Sequence, residues 1–269
     1  MIGSISLWAN ATRLLIVLII NLLVVSSTIQ AYGAHFTVSQ SGSSGPGSLA
    51  AVITQANSTS GENTIEFAVT NAIAVTKSLP AITNNLSIIG RTDIRTVVSG
   101  AGSSALFTFG PETVGALANL ALVSASSTNG GAAIRNSGKL IVRDCAIANN
   151  KSDGYGGAIR NDGEMAIVSS TIASNQTARG VGGAVYNAGT LSITACSLFG
   201  NSAYGGDGAA ANDFGGGGGG GAGLGGGIFA ARGAITCTNS TIAANSALGG
   251  KGGSGSGYSR GSIAAALRW

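Results

Sequence analysis

Charged and aromatic residues are both scarce in this chain of 269 residues, at 9% and 5% of the sequence. Soluble domains carry about 25% charged residues, so few side chains are available for a polar active site. The fourteen Lys and Arg residues form no cluster. Nucleic acid is normally bound through a concentrated basic patch, and we therefore expect no nucleic-acid partner despite the net charge of +4.

Cysteine and histidine are also rare, which limits metal, redox and nucleophilic chemistry. Cys145, Cys196 and Cys237 are widely spaced and form no CxxC pair, so we expect no metal site, no cofactor and three small buried thiols. The lone histidine, His35, has no evident Ser or Asp partner in the sequence. Triad chemistry requires a base held beside its nucleophile, and none is predicted.

The longest apolar run, Leu14 to Val25, follows Arg13 and precedes small and polar residues. This order is typical of a secretory signal peptide, and the run is short for a membrane span. We interpret residues 1–34 as a signal peptide cleaved after Ala31 or Ala34, or alternatively as an uncleaved signal anchor. Either interpretation predicts an exported protein, secreted or held at the cell surface or outer membrane, with membrane contact only through this segment.

Glycine, in contrast, is abundant, with 45 residues, and many of them belong to a repeat. Four units align, for example GGAIRNDGEMAIVSSTIASN and GGAVYNAGTLSITACSLFGN. The units cover residues 131–150, 156–175, 182–201 and 225–245. A fixed period between 20 and 50 residues indicates a solenoid, in which each unit buries its apolar face against the next.

Three apolar columns recur in every unit and predict three short strands per coil. Alternating apolar residues mark strands with one buried face. The columns are Ile134, Ile159, Val185 and Ile228; Leu140, Met165, Leu191 and Ile235; and Ile147, Ile172, Leu198 and Ile242. Stacked coils of this kind form an all-β, single-stranded parallel β-helix with about 25 residues per coil.

Asparagines recur at two fixed positions of the unit. Asparagine tolerates turn conformations and bonds nearby main chain, so one residue per coil can stack into an amide ladder. We interpret seven of them as structural ladders: Asn136, Asn161 and Asn187, and Asn150, Asn175, Asn201 and Asn245.

One outward column carries larger side chains, Arg135, Arg160, Tyr186 and Phe229. Each follows the inward aliphatic residue of its unit, so the four are predicted to line up on the outer face of one sheet. Arginines and aromatic rings in line can bind a sugar or an anionic chain through stacking and bidentate hydrogen bonds. The alternative is that these long side chains only shield the sheet.

The remaining segments define the domain organisation. Residues 35–128 are expected to form an N-terminal cap and irregular first coils, with a short capping helix that begins after Ser48. Residues 129–248 hold the regular repeats, with a glycine-rich loop insertion at 202–224, and residues 249–269 form a flexible Gly/Ser-rich tail. The stretch GGDGAAAND resembles a calcium-binding nonapeptide, but Ala210 stands where its aspartate belongs.

Two motifs resemble known bacterial proteins. The order GPGSLAAVITQANS, GENTIEFAV, AIAVTKSLPAI and LSIIG is similar to the N-terminal region of bacterial surface β-helix proteins, although Ala50 replaces their usual Arg. The GGAI-N-G-L-I units resemble polymorphic outer-membrane-protein repeats and the pectate-lyase-like superfamily. This resemblance implies a right-handed parallel β-helix that is exported and often displayed on the cell surface.

These observations favour an exported, non-catalytic β-helix that acts as an adhesin-like interaction scaffold for a glycan or another cell-surface partner. The alternative is a polysaccharide lyase or glycoside hydrolase with a site at Asp144, Asp162, Glu164 and Arg160. Glycoside hydrolysis needs two carboxylates about 5 to 9.5 Å apart, and no carboxylate column recurs between coils. A second alternative is a purely structural envelope protein.

Overall fold

The alternating segments form stacked parallel strands throughout the computed structural model, which describes residues 33–102, 105–178, 180–210 and 218–254. The predicted all-β solenoid is confirmed: strands pair in parallel with their counterparts in neighbouring coils, over about six turns of about 26 residues. Handedness stays a prediction. The interpretation of residues 1–34 as a signal segment falls almost wholly outside the described residues.

Two of the four sheets contain the first and second apolar columns. Sheet I consists of β1 (His35–Val38), β2 (Asn63–Phe67), β4 (Leu86–Ile89), β7 (Val114–Ala118), β11 (Lys139–Arg143), β15 (Glu164–Val168), β19 (Thr190–Thr194) and β23 (Ala234–Thr238). Sheet II consists of β6 (Phe107–Phe109), β10 (Ile134–Asn136), β14 (Ile159–Asn161), β18 (Val185–Asn187) and β22 (Ile228–Ala230).

The other two sheets complete each coil. Sheet III consists of β3 (Ile73–Ala74), β5 (Thr96–Ser99), β8 (Leu120–Val123), β12 (Ala146–Ala148), β16 (Thr171–Ala173), β20 (Ser197–Phe199) and β24 (Thr241–Ala243). Sheet IV consists of β9 (Ser126–Ser127), β13 (Lys151–Ser152), β17 (Gln176–Thr177), β21 (Ser202–Tyr204) and β25 (Ser246–Leu248). A regular coil therefore has four strands rather than the three predicted. The strands of sheet IV were not predicted because they are only two or three residues long, which is too short to show alternation.

The N-terminal end is closed by helix α1 (Leu49–Asn57). Ser48 caps it, since its hydroxyl accepts a hydrogen bond from the backbone N–H of Ala51 at 3.3 Å. The helix buries Leu49, Val52 and Ile53 against the first coil. It is the only helix among the described residues, and none in this part of the chain is long and apolar enough to span a membrane.

Two asparagine ladders run through the coils. In the first, Asn136 Nδ2 donates to Asn161 Oδ1 at 2.8 Å, and Asn161 Nδ2 donates to Asn187 Oδ1 at 2.7 Å. The second ladder joins Asn150, Asn175, Asn201 and Asn245 at 2.9, 3.0 and 2.8 Å. Because each buried amide also bonds to backbone groups, the ladders satisfy polar groups of the turns inside the apolar interior.

In the second ladder, the left-handed residue of each turn is the one before the asparagine. Asn149, Ser174 and Ala244 have φ between 54° and 57°, and Gly200 has φ 64° at the same position. The asparagine itself serves as the hydrogen-bonding residue.

A second turn column alternates cysteine and serine. The column consists of Cys145, Ser170, Cys196 and Ser240, and the side chains of the last three each accept a hydrogen bond from the backbone N–H of the column residue in the preceding coil. Burial raises the pKa of Cys145 to about 11 and raises that of Cys196. The expectation of three buried thiols is wrong for Cys237, which is exposed because no described coil follows its own.

The glycine-rich segments 205–209, 218–223 and 249–253 bond to one another at every third residue. The N–H donors and C=O acceptors are Gly205 to Leu248, Gly208 to Lys251, Gly218 to Ala209, Gly221 to Gly206, Gly250 to Gly221 and Gly253 to Gly218, at 2.7 to 2.9 Å. This is the three-residue period of polyproline II chains. Side chains are excluded from its centre, since a Cβ on Gly208 would lie 2.0 Å from the Gly218 carbonyl oxygen.

Candidate functional site

The outward residues of sheet II form one column because its strands are in register. Arg135 lies between Thr108 and Arg160, and Tyr186 lies between Arg160 and Phe229. The inward neighbours of these residues, including Ile134, Ile159 and Val185, are fully buried. The interior packing thus fixes the backbone under the column and leaves its side chains at the surface.

Arg160 is paired with Asp162, which lies in the turn that follows its strand. Its Nε donates to Asp162 Oδ2 at 2.7 Å, its Nη2 to Asp162 Oδ1 at 3.4 Å, and its guanidinium carbon lies 5.8 Å from the centre of the Tyr186 ring. Both side chains of the ion pair are about one-quarter exposed, at 27% and 25%. Arg160 is therefore held in place and has little charge left for a ligand.

Arg135 has a different environment one coil away. The position equivalent to Asp162 is Ser137, and Arg135 forms no ion pair and no side-chain hydrogen bond with the described residues. It lines a cleft of about 350 Å³ together with Thr108, Ser126 and Asn129. The arrangement places a free guanidinium, with five N–H donors, beside hydroxyl and amide groups at the surface.

The aromatic part of the column is a stack that includes one residue missed by sequence reasoning. The Tyr186 ring stacks on Phe229 at a centroid distance of 6.0 Å and on Tyr155 at 5.0 Å. Tyr155 precedes β14 in a turn, outside the aligned units, and its backbone approaches Gly130 too closely for any Cβ there. The rings cover one another's faces, so Tyr186 offers mainly its edge to a ligand.

Asp144 is not brought close to the other carboxylates of the alternative enzyme site, Asp162 and Glu164. Asp162 is paired with Arg160, and Glu164 Oε2 lies 3.3 Å from Lys139 Nζ. Asp144 lies in the turn after β11, whereas Asp162 lies in the turn before β15, at the other end of sheet I. A five-residue strand separates the two ends by about 15 Å, beyond the spacing used in glycoside hydrolysis.

A second groove, of about 260 Å³, lies at the N-terminal ends of strands β7, β11 and β15 of sheet I. Its lining includes the paired Lys139 and Glu164 and one further carboxylate, Glu112. Both side chains of the ion pair are mostly exposed, at 70% and 61%. Water screens such charges, and Glu112 is exposed as well.

The stretch that resembles a calcium-binding nonapeptide has a structural role in its described part. Asp207 Oδ1 accepts a hydrogen bond from the backbone N–H of Lys251 at 2.7 Å, which links two glycine-rich segments. Residues 211–217, with the remaining oxygen ligands of that stretch, lie outside the described residues. Among the residues whose positions are described, no three His, Cys, Asp or Glu side chains form a metal-binding group.

Comparison with known proteins supplies no assignment. The chain matches no family model, no curated protein and no solved structure.

Proposed function

We propose that this protein is an exported, non-catalytic β-helix that binds a glycan or another hydroxyl-rich cell-surface partner at the Arg135 cleft. The observation that carries the proposal is the free Arg135 guanidinium beside Thr108, Ser126 and Asn129. A guanidinium binds carboxylate or sulfate groups in a bidentate manner, and neighbouring hydroxyls suit a saccharide. The ligand class is therefore a saccharide that bears an anionic group.

The neighbouring residues support binding rather than turnover. Arg160 and the stack of Tyr155, Tyr186 and Phe229 form a rigid wall beside the cleft, because their charges and ring faces are already paired. Rigid side chains lose little conformational entropy when a ligand binds. Asp162 and Glu164, which hydrolysis would require, are both paired with cations.

The same proposal includes export of the protein and a relationship to bacterial surface β-helix proteins. The signal-like residues 1–34 support a secreted or surface-displayed protein, with membrane contact through that segment if it is uncleaved. The motif resemblance supports a right-handed coil related to outer-membrane-protein repeats and the pectate-lyase-like superfamily. The observed parallel solenoid is compatible with both inferences.

A glycan array with product detection tests the proposal. The purified chain is incubated with neutral and acidic saccharides, and bound ligand and released fragments are measured in parallel. We expect binding to acidic saccharides without fragments. Release of fragments would support the enzyme alternative. Neither binding nor fragments would support a purely structural envelope protein. Either result would contradict the proposal.

A further inference from the structure

Tyr155 is the end member of the aromatic stack beside sheet II. Tyr186 lies between two rings, with the centre of the Tyr155 ring at 5.0 Å and that of the Phe229 ring at 6.0 Å. Among the residues whose positions are described, no further ring stacks on Tyr155, and this residue is 49% exposed. One face of the Tyr155 ring is therefore open to solvent.

The open ring face is directed towards the coil that contains Arg135. The three rings come from successive coils, since Tyr155 belongs to the coil of β14, Tyr186 to that of β18 and Phe229 to that of β22. Their planes are nearly parallel, at interplanar angles of 19° and 16°. The first ring of such a stack faces the preceding coil, which is the coil of β10 and Arg135.

Two glycines lie between this ring and the Arg135 cleft. The backbone N–H of Gly131 donates to Tyr155 O at 3.1 Å, and a Cβ on Gly130 would collide with the same oxygen. A Cβ on Gly131 would lie 2.9 Å from Arg135 Cγ. The Arg135 side chain and the Tyr155 backbone thus flank a pair of glycines whose Cα atoms are about 3.8 Å apart.

The later coils differ from the Arg135 coil at the first of these glycines. The positions equivalent to Gly130 are Tyr155, Val181 and Leu224 in the next three coils. The coil of Arg135 has no side chain at this position. The Tyr155 ring is therefore the first side chain of its column, on the side of the cleft.

A free guanidinium beside an open aromatic face suits two neighbouring sugars of different chemistry. The face of an aromatic ring is negatively polarised, so it attracts the polarised C–H groups of a pyranose ring. A hexose with equatorial hydroxyl groups presents axial C–H groups on both of its faces. The guanidinium, in contrast, favours a carboxylate.

We propose that Tyr155 forms a second saccharide subsite, in which its open face stacks on a neutral hexose linked to a uronic acid bound by Arg135. This inference rests on the proposed function of the Arg135 cleft. It narrows the ligand to an oligosaccharide with at least two residues, a uronic acid and an adjacent hexose with equatorial hydroxyl groups.

NMR titration with two saccharides of different length tests the subsite. The probes are methyl β-glucuronide and the disaccharide glucuronosyl-β-1,4-glucose. Tyr155→Ala should raise the Kd of the disaccharide about fivefold or more and that of the monosaccharide less than about twofold, because only the stacking contact is lost. Tyr155→Phe keeps the ring and should bind both probes like the wild type. The control Phe199→Ala removes a similarly exposed ring from sheet III and should change neither Kd.

The wild-type spectra provide a second readout, which does not depend on the folding of a variant. Stacking on Tyr155 should shift the C–H signals of the glucose residue upfield in the bound disaccharide. An absent shift, an unchanged disaccharide Kd in Tyr155→Ala, or an equal loss of both probes would overturn the subsite. Binding of the monosaccharide would still support the Arg135 cleft in these cases. Failure of the wild type to bind either probe would contradict the proposed function together with the subsite.

Discussion

The interior of the solenoid and the outward column of sheet II share one backbone register, but their residues repeat from coil to coil to different degrees. Inside, an asparagine position repeats in successive coils as Asn150, Asn175 and Asn201, and the amides of Asn150 and Asn175 each donate to the asparagine of the next coil. Outside, adjacent positions differ, and Arg135 and Arg160 have different surroundings although their strands are paired. The repeated interior residues satisfy the hydrogen bonds of the fold. The change of residue type at Ser137 leaves the Arg135 guanidinium without an ion-pair partner and free to bind a ligand.

The largest loss of stability is expected when a residue of the second asparagine ladder is replaced. Asn175 donates to Ile147 O and Asn201 Oδ1 and accepts from the backbone and side chain of Asn150. Asn175→Ala leaves several buried polar groups unpaired, and we expect the free energy of unfolding to fall by about 3 kcal/mol or more. Urea denaturation measures this, with Gln176→Ala as the half-buried control, which should change it by about 0.5 kcal/mol at most.

The glycine-rich segment 205–209 offers a matched pair of positions, Gly206 and Gly208. A Cβ on Gly208 would lie 2.0 Å from a carbonyl oxygen, whereas a Cβ on Gly206 meets no atom within 4 Å. Gly208→Ala should therefore disrupt the three-residue hydrogen bonding at an overpacking cost of about 1 to 3 kcal/mol. Hydrogen exchange of the Gly218 and Gly253 amides should accelerate in this variant and stay unchanged in Gly206→Ala. Equal exchange in both variants would contradict the packed arrangement.

The buried thiol of Cys145 makes stability depend on alkaline pH. Its pKa in the folded state is about 11, against an ordinary value near 9. The unfolded chain loses this proton first, so the contribution to stability is complete below pH 9 and is lost as the pH rises towards 11, by about 1.4 kcal/mol per pH unit. The difference in unfolding free energy between the wild type and Cys145→Ser isolates this loss from other titrating groups. A difference that is constant between pH 8 and 11 would refute it.

Much smaller effects are expected at the exposed Lys139–Glu164 pair. Surface ion pairs contribute about 0 to 1 kcal/mol, and both side chains are mostly exposed. Glu164→Gln should change the free energy of unfolding by less than about 0.5 kcal/mol and leave saccharide binding intact. If the variant instead abolished an activity on polysaccharides, the groove over sheet I would be the functional site.

The features that repeat could be predicted from the sequence, because residues at the same position of each unit occupy equivalent backbone positions in the fold. The strand columns and the alignment of Arg135, Arg160, Tyr186 and Phe229 in one column follow from the alignment of the units. The capping helix follows instead from Ser48 and the apolar spacing after it. Tyr155 stands in a turn outside those units, so no column indicated that its ring stacks on Tyr186.

Other features leave no apolar pattern to detect. The glycine-rich segments are ordered by backbone hydrogen bonds at three-residue intervals, a period invisible to hydrophobicity. The ion pair of Arg160 with Asp162 depends on side-chain geometry, and it is one of the contacts that distinguish Arg160 from Arg135. The exposure of Cys237 depends on the layer stacked against its coil rather than on its own unit.

The most direct test of the functional proposal compares the two arginines on one ligand. The Kd of the best-bound acidic saccharide is measured by calorimetry for the wild type, Arg135→Gln and Arg160→Gln. Because a hydrogen bond to a charged group contributes about 1.5 to 3 kcal/mol, Arg135→Gln should raise the Kd about tenfold or more. Arg160→Gln should raise it less than about threefold, since its charge is already paired. An unchanged Kd for Arg135→Gln, or a larger effect at Arg160, would contradict the assignment of the cleft.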